Sequence, residues 1–457
     1  MTGCGETICL IAETPGFTQG CTAEDTSQLA VVFKSTETVL RIKGGEPLPS
    51  IFRSSYFPQI FFQPTFSNPS EETMAFQPAP LPKSLLGYHR ILAPTAGVRV
   101  SPLCLGAMNF GNAWEGFLGK CDKKNSYAML DYFYENGGNF IDTSNNYQGE
   151  ESETWIGEWI AERGNRDELV LATKFTTYFP GAEKSKNIGI RSNFQGNHAK
   201  SLKVSIEASL KKLQTDYIDL LYIHWWDFTT SIPEIMNSLH HLVASGKVIY
   251  LGISDTPAWI VSKANQYARD HALTQFSVYQ GHWSAAMRDF ERDILPMCES
   301  EGMALAPWGA LGRGQFATKE DLEKKGDEGR KAAQTDEIKA VSAVLDSLAK
   351  KKNTQITSIA LAYVMHKAPY VFPIVGGRKI EHLKGNIEGL GVELTDDELD
   401  EIDAATKFKI GFPMSMLFEF SGATYNSRMN FKDISLAAPA GHFDMVERTR
   451  PPKPHKD

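Results

Sequence analysis

The feature that most constrains the fold is a regular alternation of apolar strand-like runs with helix-like runs from Tyr88 to Leu390. Eight runs are predicted to be strands: Leu103–Leu105, Asn139–Ile141, Leu169–Thr173, Ile218–Ile223, Val248–Ile253, Phe276–Tyr279, Ala304–Ala306 and Val371–Val375. Helical spacing of apolar residues separates them, as at Leu202, Ile206 and Leu210. Strands that alternate with helices indicate a parallel sheet, and eight of them favour a closed α/β barrel, the (β/α)8 or TIM barrel, over an open sheet.

Three other segments complete the predicted organisation of the chain. Arg90–Leu92 and Val98–Val100 flank a turn-like segment, Pro94–Gly97, which predicts a β-hairpin that would close the bottom of the barrel. The barrel domain is predicted over residues 74–406. A tail over residues 407–457 shows no clear period, and its proline-rich end is predicted to lack regular structure. The loop over residues 309–336 is long enough to suggest a functional or disordered segment.

Residues 1–73 are rich in Ser, Thr, Pro and Phe and have no lasting period, so we expect a poorly ordered, flexible N-terminal extension. Two explanations stay open. Translation from an upstream start codon, or a mispredicted first exon, is the simpler one and is favoured. The other is a regulatory or targeting extension, for which the sequence offers no mechanism.

Composition excludes several classes of partner. The formal net charge is -8 and no dense basic run occurs, which argues against nucleic acid. No apolar stretch approaches the length of a membrane span, and the N-terminus lacks the basic region of a signal peptide. The six cysteines are scattered, with no CxxC pair and no spacing typical of a metal site. We therefore expect a cytoplasmic protein whose partner is a small molecule, with no bound metal.

Polar side chains follow three of the predicted strands. Asp142 and Tyr147 come after the second strand, Lys174 closes the third, and His224 closes the fourth. Because the carboxyl ends of parallel barrel strands converge on one face, these groups should meet there. Each residue alone is more often a cap, a packing residue or a surface charge. Together, an acid, a phenol, an ammonium and an imidazole can move a proton onto a carbonyl oxygen.

In the segments Asp142–Tyr147 and Tyr222–Trp226 the chain resembles the aldo-keto reductases, whose catalytic tetrad has these residue types in this order. The resemblance covers roughly residues 74–390 and part of the tail. Three further segments, 91–103, 279–293 and 302–316, are most similar to the fungal aryl-alcohol dehydrogenase and norsolorinic acid reductase branch.

The resemblance implies a role for each member of the tetrad. Tyr147 would be the general acid when a carbonyl is reduced and the base when an alcohol is oxidised. Lys174 would stabilise the phenolate and lower the tyrosine pKa, and Asp142 would hold Lys174 charged and in position. His224 would bind and orient the substrate oxygen. The hydride must come from a cofactor, because no side chain supplies one.

The sequence lacks the G-x-G-x-x-G fingerprint of a Rossmann dehydrogenase, whereas aldo-keto reductases bind NADPH without it. The resemblance implies three groups of cofactor contacts, at the nicotinamide, the pyrophosphate and the adenosine, respectively: Ser254, Asp255, Gln280 and Trp308; Leu311, Gly312, Arg313 and Gly314; Arg378, Lys379, His382 and Asn386. Arg378 and Lys379 could pair with a 2′-phosphate, which favours NADP(H) over NAD(H). Asp255, Trp308 and His382 replace the commoner Asn, Tyr and Arg or Gln.

Four aromatic residues near the predicted strand ends are candidate substrate contacts: Phe110, Trp114, Trp225 and Trp226. Core packing is the alternative for each, above all for one of the adjacent tryptophans, since neighbours on an extended segment face opposite ways. The predicted function is NADPH-dependent reduction of aromatic aldehydes or polyketide ketones, reversible to aryl-alcohol oxidation, in fungal secondary metabolism. Two rivals are a non-catalytic NADPH-binding barrel that acts as a redox sensor or regulatory subunit, and metal-assisted hydrolysis.

Overall fold

The computed structural model describes residues 77–318 and 334–455. The described part of Pro80–Asp457 forms one compact unit. The predicted extension over residues 1–73 and the central part of the 309–336 loop lie outside the described residues. Within the described ranges, no helix is both long and apolar enough to cross a membrane.

The predicted (β/α)8 barrel is confirmed. An antiparallel hairpin, β1 (Arg90–Ala93) and β2 (Ala96–Val100), precedes eight parallel strands. These strands are β3 (Cys104–Gly106), β4 (Phe140–Asp142), β5 (Val170–Phe175), β6 (Ile218–Ile223), β7 (Val248–Ser254), β8 (Phe276–His282), β9 (Ala304–Trp308) and β10 (Ile374–Val375). β10 pairs with β3, and a parallel bridge from Leu305 to Val371 joins the last segment to β9, so the sheet closes on itself.

Helices lie between the strands and after the barrel. They are α1 (Glu115–Leu118), α2 (Lys123–Glu135), α3 (Glu151–Arg163), α4 (Ala182–Lys186), α5 (Ala199–Leu213), α6 (Ile232–Ala244), α7 (Ala258–Asp270), α8 (Ile294–Glu301), α9 (Asp336–Lys352), α10 (Ile356–Lys367), α11 (Ile380–Glu388), α12 (Asp396–Ala404) and α13 (Met414–Phe418). The predicted apolar face of α5 is buried at Leu202 and Ile206. Thr395 and Glu398 form a capping box that explains the start of α12.

Alternation along each strand divides the side chains between two layers. Leu171 on β5 faces the surrounding helices, whereas Val170 and Ala172 face the barrel interior. Leu92 and Val100 of the hairpin belong to the same interior cluster as Val170. The hairpin therefore closes the end of the barrel where the strands begin, as predicted, and leaves the carboxyl end for a site.

The tail after α12 contacts the barrel through a few specific side chains. Arg448 pairs with Glu299 at 3.2 Å, and the His455 ring stacks on Tyr88 with ring centroids 3.8 Å apart. Residues 451–455 form no helix or strand, as the proline-rich sequence predicts. Up to residue 455, where the described part of the chain ends, the tail end is thus held by side-chain contacts and not by backbone pairing.

Candidate active site

Strand periodicity brings the predicted polar residues to one end of the barrel interior. On β5, Val170 and Ala172 are interior residues, so Lys174, two residues further on, points the same way. The same alternation places Asp142 after Phe140 on β4, and His224 after Tyr222 at the end of β6. All three side chains therefore project toward the axis at the carboxyl ends of the strands.

Lys174 is the centre of the site. Its side chain is fully buried, and Nζ lies 2.6 Å from Asp142 Oδ1 and 2.7 Å from the backbone oxygen of Thr143. Nζ is also 3.4 Å from the Tyr147 hydroxyl oxygen. Gln280 Nε2 donates to the other carboxylate oxygen of Asp142 at 2.9 Å. The ammonium group is thus oriented by a carboxylate and a carbonyl, with the phenol as its third neighbour.

Tyr147 and His224 form the accessible part of the site, since both residues are half-buried. Their ring centroids lie 5.8 Å apart in an edge-to-face arrangement. His224 Nδ1 is 3.2 Å from Ser144 Oγ and 3.4 Å from Thr177 Oγ1. Because Nδ1 is occupied by these hydroxyls, Nε2 is the ring nitrogen left to face a ligand. The structure therefore brings all four predicted tetrad residues together.

Burial and neighbouring charges shift the pKa values of His224, Lys174 and Tyr147. Burial lowers the pKa of His224 to about 3, and the Lys174 charge adds to this effect, so the imidazole is neutral near pH 7. Burial disfavours the charge on Lys174, but Asp142 and Tyr147 outweigh it and raise the lysine pKa. Burial raises the pKa of Tyr147, and Lys174 offsets this only in part. Lys174 acts in the predicted direction, yet the net pKa of the phenol is raised, because burial is the larger effect.

The next two strands carry the residues expected to contact the nicotinamide. Ser254 ends β7 and pairs in register with Gln280 on β8. Ser254 Oγ is buried and has no hydrogen-bond partner among the described residues. A buried polar atom without a hydrogen-bond partner costs about 1–3 kcal/mol of stability. A polar ligand group that forms a hydrogen bond with Ser254 Oγ would remove this cost. The orphaned hydroxyl therefore fits the carboxamide contact that the sequence predicts.

Asp255 and Trp308 lie at the same carboxyl end of the barrel strands. They contact each other, and Trp308 Nε1 donates to Asp255 Oδ1 at 3.2 Å. Asp255 has a left-handed backbone, with φ of 40°, a conformation in which Asn and Asp are both enriched. Although part of Asp255 is open to solvent, burial of its carboxyl raises the pKa to about 6. The Trp308 ring stacks on His282 with centroids 4.1 Å apart, so one ring face is already covered by protein.

The remaining predicted cofactor residues lie on two segments outside the tetrad. Leu311, Gly312, Arg313 and Gly314 form a short turn after β9 that is half-buried to exposed. Arg378 and Lys379 precede α11, where Asn125 Nδ2 donates to the Arg378 backbone oxygen at 2.9 Å. On α11 itself, His382 is exposed and Asn386 is buried.

The structure separates the four predicted substrate residues into two pairs. Phe110 is fully buried in the core between barrel and helices, and Trp226, also buried, packs in the same cluster. Trp114 and Trp225 are half-buried. Trp114 meets the Tyr147 ring edge-to-face at 6.2 Å, and Trp225 Nε1 donates to Thr177 Oγ1 at 2.9 Å. Only Trp114 and Trp225 are therefore placed as candidate substrate contacts.

Sequence reasoning missed the residues that hold the tetrad in place. Ser144 and Thr177 contact the His224 ring, and the Thr143 carbonyl accepts from Lys174. Their signal in the sequence is position alone, since each follows a strand end by one or two residues. Within the part of the chain that the structure describes, no three or more His, Cys, Asp or Glu side chains are grouped to hold a metal ion.

Comparison with known proteins agrees with this geometry. Residues 102–407 match the model of the Aldo/keto reductase family. Norsolorinic acid reductase A of Aspergillus parasiticus is 60% identical over 382 residues, which cover 83% of this chain and 97% of the relative. An aryl-alcohol dehydrogenase of Pestalotiopsis microspora is 52% identical, covering 84% of this chain and 97% of the relative. A putative aryl-alcohol dehydrogenase of Saccharomyces cerevisiae is also 52% identical, covering 76% and 93%.

Proposed function

Because the chain belongs to the aldo/keto reductase family, and is thus an oxidoreductase that acts on carbonyl groups, we propose that it reduces aromatic aldehydes or ketones with NADPH. The reaction is reversible to the oxidation of aryl alcohols. The observation that carries the proposal is the position of Lys174 Nζ, 2.6 Å from Asp142 and 3.4 Å from the Tyr147 hydroxyl, at the open end of the barrel.

In this proposal Tyr147 donates its hydroxyl proton to the carbonyl oxygen of the substrate. The nearby Lys174 ammonium stabilises the phenolate that remains, and Asp142 keeps that ammonium charged and oriented. His224 is neutral, so its Nε2 can donate a hydrogen bond to the same carbonyl oxygen when Nδ1 accepts from Thr177, since the Ser144 hydroxyl donates to Asn146 Oδ1. When bound, NADPH supplies the hydride.

The names of the relatives support the proposed substrate class, since they include norsolorinic acid reductases and aryl-alcohol dehydrogenases of fungi. On the same ground we propose a role in fungal secondary metabolism. Cys104, Cys121 and Cys298 are free and buried, which fits a reducing compartment such as the cytoplasm.

The substrate class predicts a clear preference between two aldehydes. Trp114 and Trp225 border the tetrad, and an aromatic pair contributes about 0.5–1.5 kcal/mol beyond its buried area. We expect kcat/KM for a substituted benzaldehyde to exceed that for butanal at saturating NADPH. Steady-state NADPH consumption measures both values. A preference for butanal would refute the aromatic assignment and leave carbonyl reduction intact.

The cofactor assignment predicts a selective loss of affinity. If Arg378 and Lys379 bind the 2′-phosphate, changing both to Gln should weaken NADPH about tenfold to a hundredfold, with little effect on NADH. Fluorescence titration with each cofactor measures this difference. Lys384→Gln is a matched control, because Lys384 is an exposed lysine on α11, the helix that directly follows Arg378 and Lys379. Equal weakening of NADPH and NADH in the double variant would count against the assignment.

A further inference from the structure

The backbone directly after Tyr147 is strained. Gln148, Gly149 and Glu150 all have left-handed conformations, with φ of 54°, 61° and 86°. A left-handed backbone is unfavourable for a residue other than glycine. Two such residues on either side of one glycine persist only where surrounding contacts hold the backbone in this conformation. Such sites are concentrated near functional groups.

Gln148 supplies the contacts on one side of this turn. Its side chain is fully buried, although it lies beside a half-buried tyrosine. Gln148 Oε1 accepts from the backbone nitrogen of Trp114 at 2.7 Å, and Nε2 donates to the backbone oxygen of Met108 at 3.0 Å. The amide group thus bridges both ends of the loop that follows β3.

Glu151 holds the same loop between those two points. Its Oε2 accepts from the backbone nitrogen of Asn112 at 2.6 Å and from that of Ala113 at 3.1 Å. A methyl group added at Gly111 would come within 2.2 Å of the Gln148 side chain, so the loop packs directly against the turn. Hydrogen bonds of Gln148 and Glu151 therefore hold the loop over residues 107–114 against the residues that follow Tyr147.

These hydrogen bonds define the distance between the Trp114 ring and Tyr147, the proton donor. The Trp114 and Tyr147 rings meet edge-to-face with centroids 6.2 Å apart. Trp114 also lines an open pocket together with Ala113, Gly116 and Phe117. Because the backbone nitrogen of Trp114 donates to Gln148, the residue next to Tyr147, a shift of the Trp114 backbone away from Tyr147 would break this part-buried hydrogen bond.

We propose that Gln148 is a positioning residue that sets the substrate range of the enzyme. By holding Trp114 against Tyr147, it shapes the space beside the proton donor for a flat aromatic carbonyl compound and contributes little to the binding of a short aliphatic one. The inference rests on the proposed function, carbonyl reduction at Tyr147.

The test compares Gln148→Met with wild type, using benzaldehyde and butanal as substrates. Methionine has a similar length but neither bonds Trp114 nor donates to Met108. We expect kcat/KM for benzaldehyde to fall about tenfold, mainly through KM, because the variant loses both hydrogen bonds that hold the Trp114 backbone and Met108 to residue 148. The value for butanal and the dissociation constant of NADPH should change by less than about twofold.

Gln214→Met is a matched control. Gln214 has the same residue type and a similar left-handed φ of 52°, but it is exposed at the C-terminal end of α5. This control isolates the effect of methionine in a left-handed position, and it should leave the ratio of the two substrates unchanged. A ratio shifted equally by Gln214→Met would overturn the inference.

A second comparison tests whether Gln148 acts through Trp114. In the double variant Gln148→Met/Trp114→Ala, the ratio of benzaldehyde to butanal kcat/KM should equal that of Trp114→Ala alone. If Gln148→Met does not fold, Glu151→Gln tests the attachment of the same loop. It should shift the ratio of benzaldehyde to butanal kcat/KM in the same direction by a smaller factor. An equal loss for both substrates, or no loss, would overturn the inference. Wild-type protein that reduces neither aldehyde nor any ketone tried would instead overturn the proposed function.

Discussion

Replacing Tyr147 with phenylalanine is expected to lower turnover about 10²-fold or more while NADPH affinity stays nearly unchanged. Phenylalanine keeps the ring that meets His224 and Trp114 edge-to-face, but it removes the hydroxyl that lies 3.4 Å from Lys174 Nζ. The variant therefore loses the transferable proton and little of the packing. Steady-state kinetics with an aromatic aldehyde, together with fluorescence titration of NADPH, separates the two effects.

Tyr217→Phe is the matched control for this variant. The Tyr217 hydroxyl donates to Asp167 at 2.8 Å, and the residue directly precedes β6, at the opposite end of the barrel. Removing this hydroxyl should leave kcat unchanged. Full activity in Tyr147→Phe would show that another group donates the proton.

Replacing Lys174 with methionine is expected to lower turnover by a similar factor and to shift its pH dependence. Lys174 stabilises the phenolate, so its removal raises the Tyr147 pKa further above the ordinary value. Carbonyl reduction needs the protonated phenol and fails as pH rises through that pKa. The alkaline loss of reductase activity should therefore move to higher pH in the variant. A pH profile of kcat at saturating NADPH measures the shift.

The lysine change also leaves the buried carboxylate of Asp142 without its ion-pair partner, which can destabilise a fold by about 3–5 kcal/mol. The double variant Lys174→Met/Asp142→Asn removes both charges and should recover most of the lost thermal stability. Its activity should remain low, because the ammonium beside Tyr147 is still missing. Recovery of activity together with stability would mean that Lys174 has only a structural role.

The barrel and the convergence of the tetrad could be predicted because both follow from local periodicity. Strand-like runs define the strands, and alternation within β4, β5 and β6 determines that Asp142, Lys174 and His224 face the same interior. The ends of strands were less predictable. β8 continues to His282 and β9 to Trp308, because these two strands pair with each other beyond their predicted ends at Tyr279 and Ala306.

Features that depend on packing in three dimensions could not be read from the sequence. Nothing in the residue types distinguishes Phe110 and Trp226, which are buried in the core, from Trp114 and Trp225, which border the site. Gly149 is an ordinary candidate for a left-handed turn, but the left-handed conformations of its neighbours Gln148 and Glu150 accompany long-range hydrogen bonds to Trp114 and Gly181. The raised pKa of Tyr147 likewise reflects burial, which residue spacing does not report.

The central claim is that this barrel transfers a hydride to a carbonyl carbon while Tyr147 protonates the oxygen. Its most direct test is incubation with benzaldehyde and NADPH that carries deuterium at both C4 positions, followed by mass spectrometry of the alcohol. We predict benzyl alcohol with one added deuterium, formed in equal amount to NADP⁺, and a rate at least about 10²-fold lower for Tyr147→Phe. Tight NADPH binding without deuterium transfer to benzaldehyde or to any aromatic ketone tested would contradict the account and favour a non-catalytic NADPH-binding barrel.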